Sequence, residues 1–76
     1  MITMTLRAIR VNMGLSLEEA SIKLGISKDT LSNYERGLTF PDVPIIKRIE
    51  YIYNISYDRI NFLVNNHDLV VEKEEV

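Results

Sequence analysis

Residues 16–37 read SLEEASIKLGISKDTLSNYERG, and this stretch decides the fold of the 76-residue chain. Ser16 can begin a helix with a capping box, because a glutamate follows three residues later. Ser27 offers the same hydroxyl cap to a second helix, and Gly25 and Gly37 can end the two helices in the left-handed conformation. Because only two residues separate the helices, they must cross at a steep angle, and the stretch predicts a helix-turn-helix.

The size and composition of the chain predict one small domain without cross-links. Seventy-six residues bury a modest core, and the absence of cysteine excludes disulfides and thiolate metal sites. His67 stands without the partners that a zinc site or a catalytic triad needs. No nucleophile lies beside a base and no glycine-rich phosphate loop is present, so we expect neither an enzyme nor a cofactor.

The amino terminus shows no export signal, and no apolar run approaches the ~20 residues of a membrane span. We therefore expect a soluble, intracellular protein. Its charges are unevenly placed: residues 1–65 hold eight basic and seven acidic side chains, and residues 66–76 hold one and four. We expect residues 1–65 to form the domain and residues 66–76 an acidic tail. The near-neutral domain predicts weak non-specific binding to nucleic acid, because that binding scales with the phosphates neutralised by cations.

Apolar residues at spacings of three and four predict five helices, and no strand pattern competes with them. The first covers about residues 5–13 and precedes the helix-turn-helix. Asp42 looks like the N-cap of a fourth helix that reaches Asn54. Ser56 is expected to cap a fifth helix, whose inward side chains would be Ile60, Phe62 and Leu63. The chain is thus predicted to be all-α, a compact five-helix bundle with a central helix-turn-helix.

The second helix of the motif, residues 27–36, separates polar from apolar side chains. At about 100° per residue, one arc of about 140° collects Lys28, Asp29, Ser32, Asn33 and Arg36, while Leu31 and Tyr34 lie elsewhere. Asparagine can pair with adenine, lysine with guanine and aspartate with cytosine, and a serine hydroxyl can either donate to a base edge or accept from it. Any surface helix shows a polar face, but the tight turn and the preceding helix favour a helix that contacts base edges in the major groove of DNA.

A longer pattern surrounds the motif. It comprises Leu6-Arg7, Arg10, Gly14-Leu15-Ser16, Glu18-Glu19, Leu24-Gly25-Ile26-Ser27, Leu31-Ser32, Tyr34-Glu35-Arg36-Gly37 and Pro41. With this pattern, residues 5–64 resemble the Cro/repressor-type (XRE-like) helix-turn-helix family of phage and bacterial transcriptional regulators. The resemblance implies a lambda-repressor-like DNA-binding domain that binds double-stranded operator DNA as a homodimer, in the cytoplasm of a bacterial or phage-infected cell.

The resemblance also implies roles for individual residues. The base-reading positions are Lys28, Asp29, Ser32 and Asn33. Contacts to DNA phosphates are expected from Arg10 and Arg36, and from helix starts at Ser16 and Ser27. Arg10 resembles the family arginine that pairs with the glutamate at Glu35. A dimer would read two half-sites about one DNA turn apart, and its surface is expected on the fifth helix and Leu69-Val70-Val71.

Three apolar residues depart from the family pattern and, with a fourth beside them, favour an alternative function. Leu17 replaces the usual glutamine at the start of the second helix, and Leu38 and Phe40 lie where lysine or arginine is common. Ile22 adds an apolar group on the face that the second helix should expose. An apolar patch can mark a protein-binding surface. The alternative is therefore an antirepressor or antitoxin-like module that docks on a partner repressor through Leu17, Ile22, Leu38 and Phe40.

Overall fold

The computed structural model describes residues 3–62. It contains four α-helices, one turn of 3-10 helix (Tyr57–Arg59) and a pair of short parallel strands. In chain order the elements are β1 (Met4–Thr5), α1 (Leu6–Asn12), α2 (Leu17–Leu24), α3 (Lys28–Glu35), α4 (Val43–Tyr53) and β2 (Ile60–Asn61). Among the described residues, none of the helices is long and apolar enough to cross a membrane.

Each α-helix begins after an N-cap residue whose side chain accepts a hydrogen bond from the backbone N–H of the residue three positions later. The four N-caps are Thr5, Ser16, Ser27 and Asp42. At Ser16 the predicted capping box is confirmed: Ser16 Oγ accepts from the Glu19 amide at 3.0 Å, and Glu19 Oε1 accepts from the Ser16 amide at 2.8 Å. These local bonds satisfy amides that a helix start leaves without partners, so they fix where each helix begins.

The hydrophobic core draws on every helix and on β2. Its buried members are Leu6, Ile9, Ala20, Leu24, Leu31, Ile49, Tyr53, Ile60 and Phe62. Leu24, Leu31 and Ile49 are fully buried, which stabilises the fold by about 1.5–3 kcal/mol for each side chain. Because Leu24 ends α2 and Leu31 lies midway along α3, the same core holds the two helices of the motif at a fixed angle.

The prediction of a fifth helix that begins at Ser56 is wrong for the residues that the structure describes. The Ser56 hydroxyl donates to Asp58 Oδ1 at 2.7 Å and caps no backbone amide. After one turn of 3-10 helix the chain becomes extended at Ile60 (φ −102°, ψ 128°). Ile60 and Phe62 are both buried, and their spacing of two residues is that of a strand and not of a helix.

β2 forms because β1 offers it a partner at the other end of the chain. Met4 is paired with Ile60 and Thr5 with Asn61 in parallel register. The predicted five-helix bundle is therefore a four-helix domain closed by two strands, and the prediction that no strand is present is also wrong. Leu63, His67, the 66–76 tail and the expected dimer segment 69–71 lie outside the described residues.

The turn between α2 and α3 depends on Gly25, whose φ is +72°. The Gly25 amide bonds to the Ile22 carbonyl, and the amide of residue 26 bonds to the Ser21 carbonyl. A side chain at position 25 would have its Cβ 3.0 Å from Nη1 of Arg48, which reaches across from α4. The same Nη1 donates to the Leu24 carbonyl at 2.8 Å. Arg48 therefore ties α4 to the end of α2.

Gly25→Ala is expected to destabilise the domain more than Gly14→Ala. Both glycines have left-handed φ values, which cost alanine about 1 kcal/mol, but nothing lies within 4 Å of a Cβ at Gly14. At position 25 the methyl group must also displace Arg48, which weakens its hydrogen bond by up to about 1 kcal/mol. Urea unfolding of both variants measures the difference. Equal losses at the two positions would show that Arg48 has no role at the turn.

Candidate nucleic-acid interface

The outer face of α3 is polar, and its side chains have no bonding partners within the described part of the domain. Lys28 and Asp29 are exposed and Ser32 and Asn33 are half-buried, whereas Leu31 points into the core. Within residues 3–62, the side chains of these four polar residues make no hydrogen bond or ion pair. The arc predicted from helical spacing is therefore a surface whose donors and acceptors can bind a ligand.

Arg36 extends this surface at the end of α3. It is the C-cap residue, it is exposed, and its guanidinium has no acidic partner among the described residues. The helix then ends in a left-handed turn at Gly37, where the Leu38 amide bonds back to the Asn33 carbonyl at 2.9 Å. This turn uses the backbone of Asn33 and leaves its side-chain amide unused.

Arg10 and Glu35 form a buried, two-point ion pair between α1 and α3. Arg10 Nε donates to Glu35 Oε2 at 2.7 Å, and Nη2 donates to Oε1 at 3.1 Å. The side chains are only 12% and 6% exposed, respectively. Nη1 donates to the carbonyl oxygen of Leu15, in the connection between α1 and α2. The hydrogen bond to Glu35 raises the pKa of Arg10 despite the opposing effect of burial.

The bonds of Arg10 bear on two of its predicted roles. The expected pair between Arg10 and Glu35 is present, but all three guanidinium nitrogens of Arg10 donate to protein groups. Arg10 therefore joins α1, the α1–α2 connection and α3. These bonds use three of the five N–H groups of its guanidinium, so its contact with a DNA phosphate stays a prediction. Because Glu35 is the last residue of α3, the pair fixes the end of that helix against the domain.

The hydroxyls of Ser16 and Ser27 each accept a backbone amide of the helix that they begin. Ser16 Oγ accepts the Glu19 amide, and Ser27 Oγ accepts the Thr30 amide at 3.0 Å and lies 2.8 Å from Thr30 Oγ1. The phosphate contacts predicted at these helix starts are to backbone amides that the caps leave without partners, and they stay a prediction. Acidic residues lie in both first turns and oppose such binding electrostatically.

The four apolar residues of the alternative interpretation differ in their surroundings. Leu17 is half-buried and packs against the hydrophobic core. Phe40 packs edge-on against the ring of Phe62, with ring centroids 5.2 Å apart. Ile22 and Leu38 are exposed. Two of the four residues thus have partners within the domain, although Phe40 remains 52% exposed.

Tyr53 lies behind the ion pair and was not predicted to interact with it. It is 4% exposed, and its hydroxyl has no hydrogen-bond partner among the residues described. Burial raises the pKa of Tyr53 to about 12, with the negative charge of Glu35 acting in the same direction and Arg10 opposing it. Its apolar place in the helical pattern predicted burial, but nothing in the pattern predicted the proximity to these charges.

Tyr53 makes the stability of the domain sensitive to alkali. The folded state holds the phenol proton more tightly than the unfolded chain, whose tyrosine pKa is 10.0. Stability is therefore expected to fall by about 2–3 kcal/mol as the pH rises from 10 towards 12. Tyr53→Phe should remove this part of the fall and leave stability at pH 7 equal or higher, since it deletes an unsatisfied hydroxyl. Urea unfolding between pH 9 and 11.5 tests it, with the exposed Tyr51→Phe as control. An unchanged slope in Tyr53→Phe would contradict the assignment.

Comparison with known proteins decides the family. A family model described as helix-turn-helix matches residues 6–60, which is most of the chain. The chain belongs to the XRE-type helix-turn-helix family. The resemblance inferred from the signature in residues 25–37 is thereby confirmed.

One curated relative of this helix-turn-helix chain is the HTH-type transcriptional regulator ImmR of Bacillus subtilis (strain 168), which is 38% identical over 53 residues. The match covers 70% of this chain and 42% of the relative, so less than half of that regulator's length is matched. No solved structure matches. Within residues 3–62, no cluster of histidine, cysteine, aspartate or glutamate could hold a metal ion.

Proposed function

We propose that this chain is a sequence-specific DNA-binding regulator of transcription that places α3 in the major groove of double-stranded DNA. The observation that carries the proposal is the uncommitted polar face of α3, which the α2–α3 turn and the buried ion pair hold outward. The similarity to a transcriptional regulator over 53 residues supports it. A groove-reading helix needs side chains that are free to meet base edges, and α3 provides four of them.

Each residue of the face has a role that its chemistry supports. Asn33 can donate to and accept from the edge of an adenine, and Lys28 can donate to a guanine. The Ser32 hydroxyl can either donate to a base edge or accept from it, and Asp29 can accept from the amino group of a cytosine. Asp29 also repels phosphates, which reduces the number of DNA sites to which α3 can bind. Arg36 would bind a phosphate beside the groove and fix the register of the helix.

The charge balance supports selective binding. Residues 1–65 hold eight basic and seven acidic side chains, and Arg10 is occupied within the domain. The net charge of residues 1–65 is therefore only +1, so non-specific binding should be weak at ordinary salt concentrations. Most of the affinity for the correct site must then come from base contacts, which favours a high ratio of specific to non-specific affinity.

The regulator is proposed to act as a homodimer in the cytoplasm of a bacterial or phage-infected cell. One recognition helix contacts only a few base pairs, so two copies on half-sites about 34 Å apart would give a longer and more selective site. No observation favours the antirepressor or antitoxin-like alternative, because Leu17 packs against the core and the similarity found is to a transcriptional regulator.

Selection from a random duplex library tests this function and needs no assumption about the operator sequence. The immobilised chain should enrich one motif over several rounds, and a gel shift should then show preference for that motif over a scrambled duplex of the same composition. We expect the motif to be an inverted repeat with half-site centres about 10 base pairs apart. A library that remains random after selection would contradict the proposal.

A further inference from the structure

The turn that ends α3 leaves one apolar side chain at the surface. The Gly37 amide bonds to the Tyr34 carbonyl at 3.2 Å, and the Leu38 amide bonds to the Asn33 carbonyl at 2.9 Å. With a φ of +75° at Gly37, these two bonds form a Schellman motif. Leu38, the residue after the glycine, is 53% exposed. Its apolar surface is thus open directly beyond the last turn of α3.

The turn that ends α2 has the same bonds but a different outcome. The Gly25 amide bonds to the Ile22 carbonyl, and the Ile26 amide bonds to the Ser21 carbonyl. Ile26, which corresponds to Leu38, is half-buried and packs against the hydrophobic core. In this motif the residue after the glycine commonly makes an apolar contact with the helix that it ends. The exposure of Leu38 is therefore a property of its position and not of the turn.

The neighbours of Leu38 on α3 are polar. A side chain that follows such a turn usually packs on the helix residue whose carbonyl accepts its amide, and here that residue is Asn33. Ser32, one position earlier, is also polar. Both residues belong to the outer face that is proposed to read bases. The turn thus sets an apolar group beside the Asn33 amide, at the edge of a polar face.

We propose that Leu38 is a specificity-determining residue that contacts the C5 methyl group of a thymine, at or next to the base pair that Asn33 contacts. The thymine methyl is the one apolar group that base pairs present in the major groove. The contact removes apolar surface of both groups from water, which favours association. This inference rests on the proposed function, and it adds an apolar contact to a face otherwise described by hydrogen bonds.

A base edge suits Leu38 better than the DNA backbone does. Phosphates bind cations and hydrogen-bond donors, and the Leu38 side chain is neither. Its backbone amide is already used by the Asn33 carbonyl. Arg36, exposed at the end of α3, offers a phosphate contact on the same side. Deoxyribose is the other apolar surface of DNA, but it is the same at every nucleotide, so a contact with it gives no preference for thymine.

Replacement of single thymines by deoxyuridine in the selected duplex tests the contact, because uracil lacks only the methyl group. Fluorescence anisotropy measures the affinity for each duplex, and the loss of preference in Asn33→Ala locates the Asn33 contact. At one thymine within one base pair of that contact, the replacement should weaken binding of the native chain about fourfold, the equivalent of one buried carbon group. Leu38→Ala should weaken binding to the unaltered duplex at least as much, and it should no longer respond to that deoxyuridine.

The matched control is Ile22→Ala, which also truncates an exposed aliphatic side chain but lies on α2, where the residue is 71% exposed. This variant should bind like the native chain and keep the fourfold response to deoxyuridine. Circular dichroism checks that both variants are folded. The comparison separates loss of the thymine contact from a general effect of removing apolar surface.

Three results overturn the inference while the proposed function stands. The first is a selected site without thymine within one base pair of the Asn33 contact. The second is a native chain that binds every deoxyuridine duplex as tightly as the unaltered one. The third is a Leu38→Ala variant that binds more weakly but keeps the full response to deoxyuridine, as expected for a contact with deoxyribose. A library that stays random after selection overturns the proposed function and this inference together.

Discussion

Replacing Arg10 by methionine is expected to lower the free energy of unfolding by about 3–5 kcal/mol. The substitution leaves the Glu35 carboxylate, 6% exposed, without the guanidinium that neutralises it, and it removes the donor to the Leu15 carbonyl. A buried charge without a partner costs much more than the pair contributes in net stability. Domains of this size are stable by about 5 kcal/mol, so about 0–2 kcal/mol should remain and roughly 3–50% of the variant should be unfolded at 25 °C.

Urea unfolding followed by circular dichroism measures this loss. Arg7→Met is the matched control, because Arg7 belongs to the same helix but is exposed and has no ion pair among the described residues; it should change stability by less than about 0.5 kcal/mol. The double variant Arg10→Met, Glu35→Leu removes both charges and should recover most of the loss. A loss below about 1 kcal/mol for Arg10→Met alone would show that the pair does not anchor α3.

Asn33→Ala is expected to reduce the preference of the chain for its selected site by about 1–3 kcal/mol, or roughly 5- to 150-fold. Asn33 is half-buried on the outer face of α3, and its side-chain amide makes no bond within the described part of the domain. The substitution should therefore leave the fold intact. Its effect should be confined to the base that the amide contacts. The variant should therefore bind the unaltered duplex and duplexes altered at that base equally well.

The matched comparison for this prediction is Arg36→Ala. If Arg36 contacts a phosphate, its loss should weaken binding to all sequences about equally and reduce the dependence of log K on log salt by about one unit. Asn33→Ala should leave that salt dependence unchanged. Fluorescence anisotropy on a panel of single-base variants of the site separates the two patterns. A uniform loss of affinity in Asn33→Ala would remove it from the base-reading set.

Local sequence signals predicted the positions of the helices because the bonds that begin and end them are local. Ser16, Ser27 and Asp42 each accept an amide three residues away, and Gly25 supplies the positive φ that the turn needs. Such features depend on residue type and short spacing, so they can be read from the chain alone. The polar arc of α3 follows from the same local geometry.

The features that sequence analysis missed depend on contacts between distant parts of the chain. Ile60 has the apolar spacing of a helix residue, but it is extended because Met4 pairs with it from 56 positions earlier. Arg48 reaches the Leu24 carbonyl over a separation of 24 residues, and no local pattern marks it as different from other exposed arginines. The pair of Arg10 and Glu35, 25 residues apart, was predicted only because the signature of the family implied it.

The proposed function requires that α3 reads base edges in double-stranded DNA. An anisotropy titration of the native chain tests it most directly, with the selected duplex and a scrambled duplex compared at ~50 and ~150 mM salt. We predict that the selected duplex binds at least about 100-fold more tightly at both concentrations, and that non-specific binding weakens with salt more steeply than specific binding. Equal affinity for the two duplexes, or no measurable binding to either, would contradict the account.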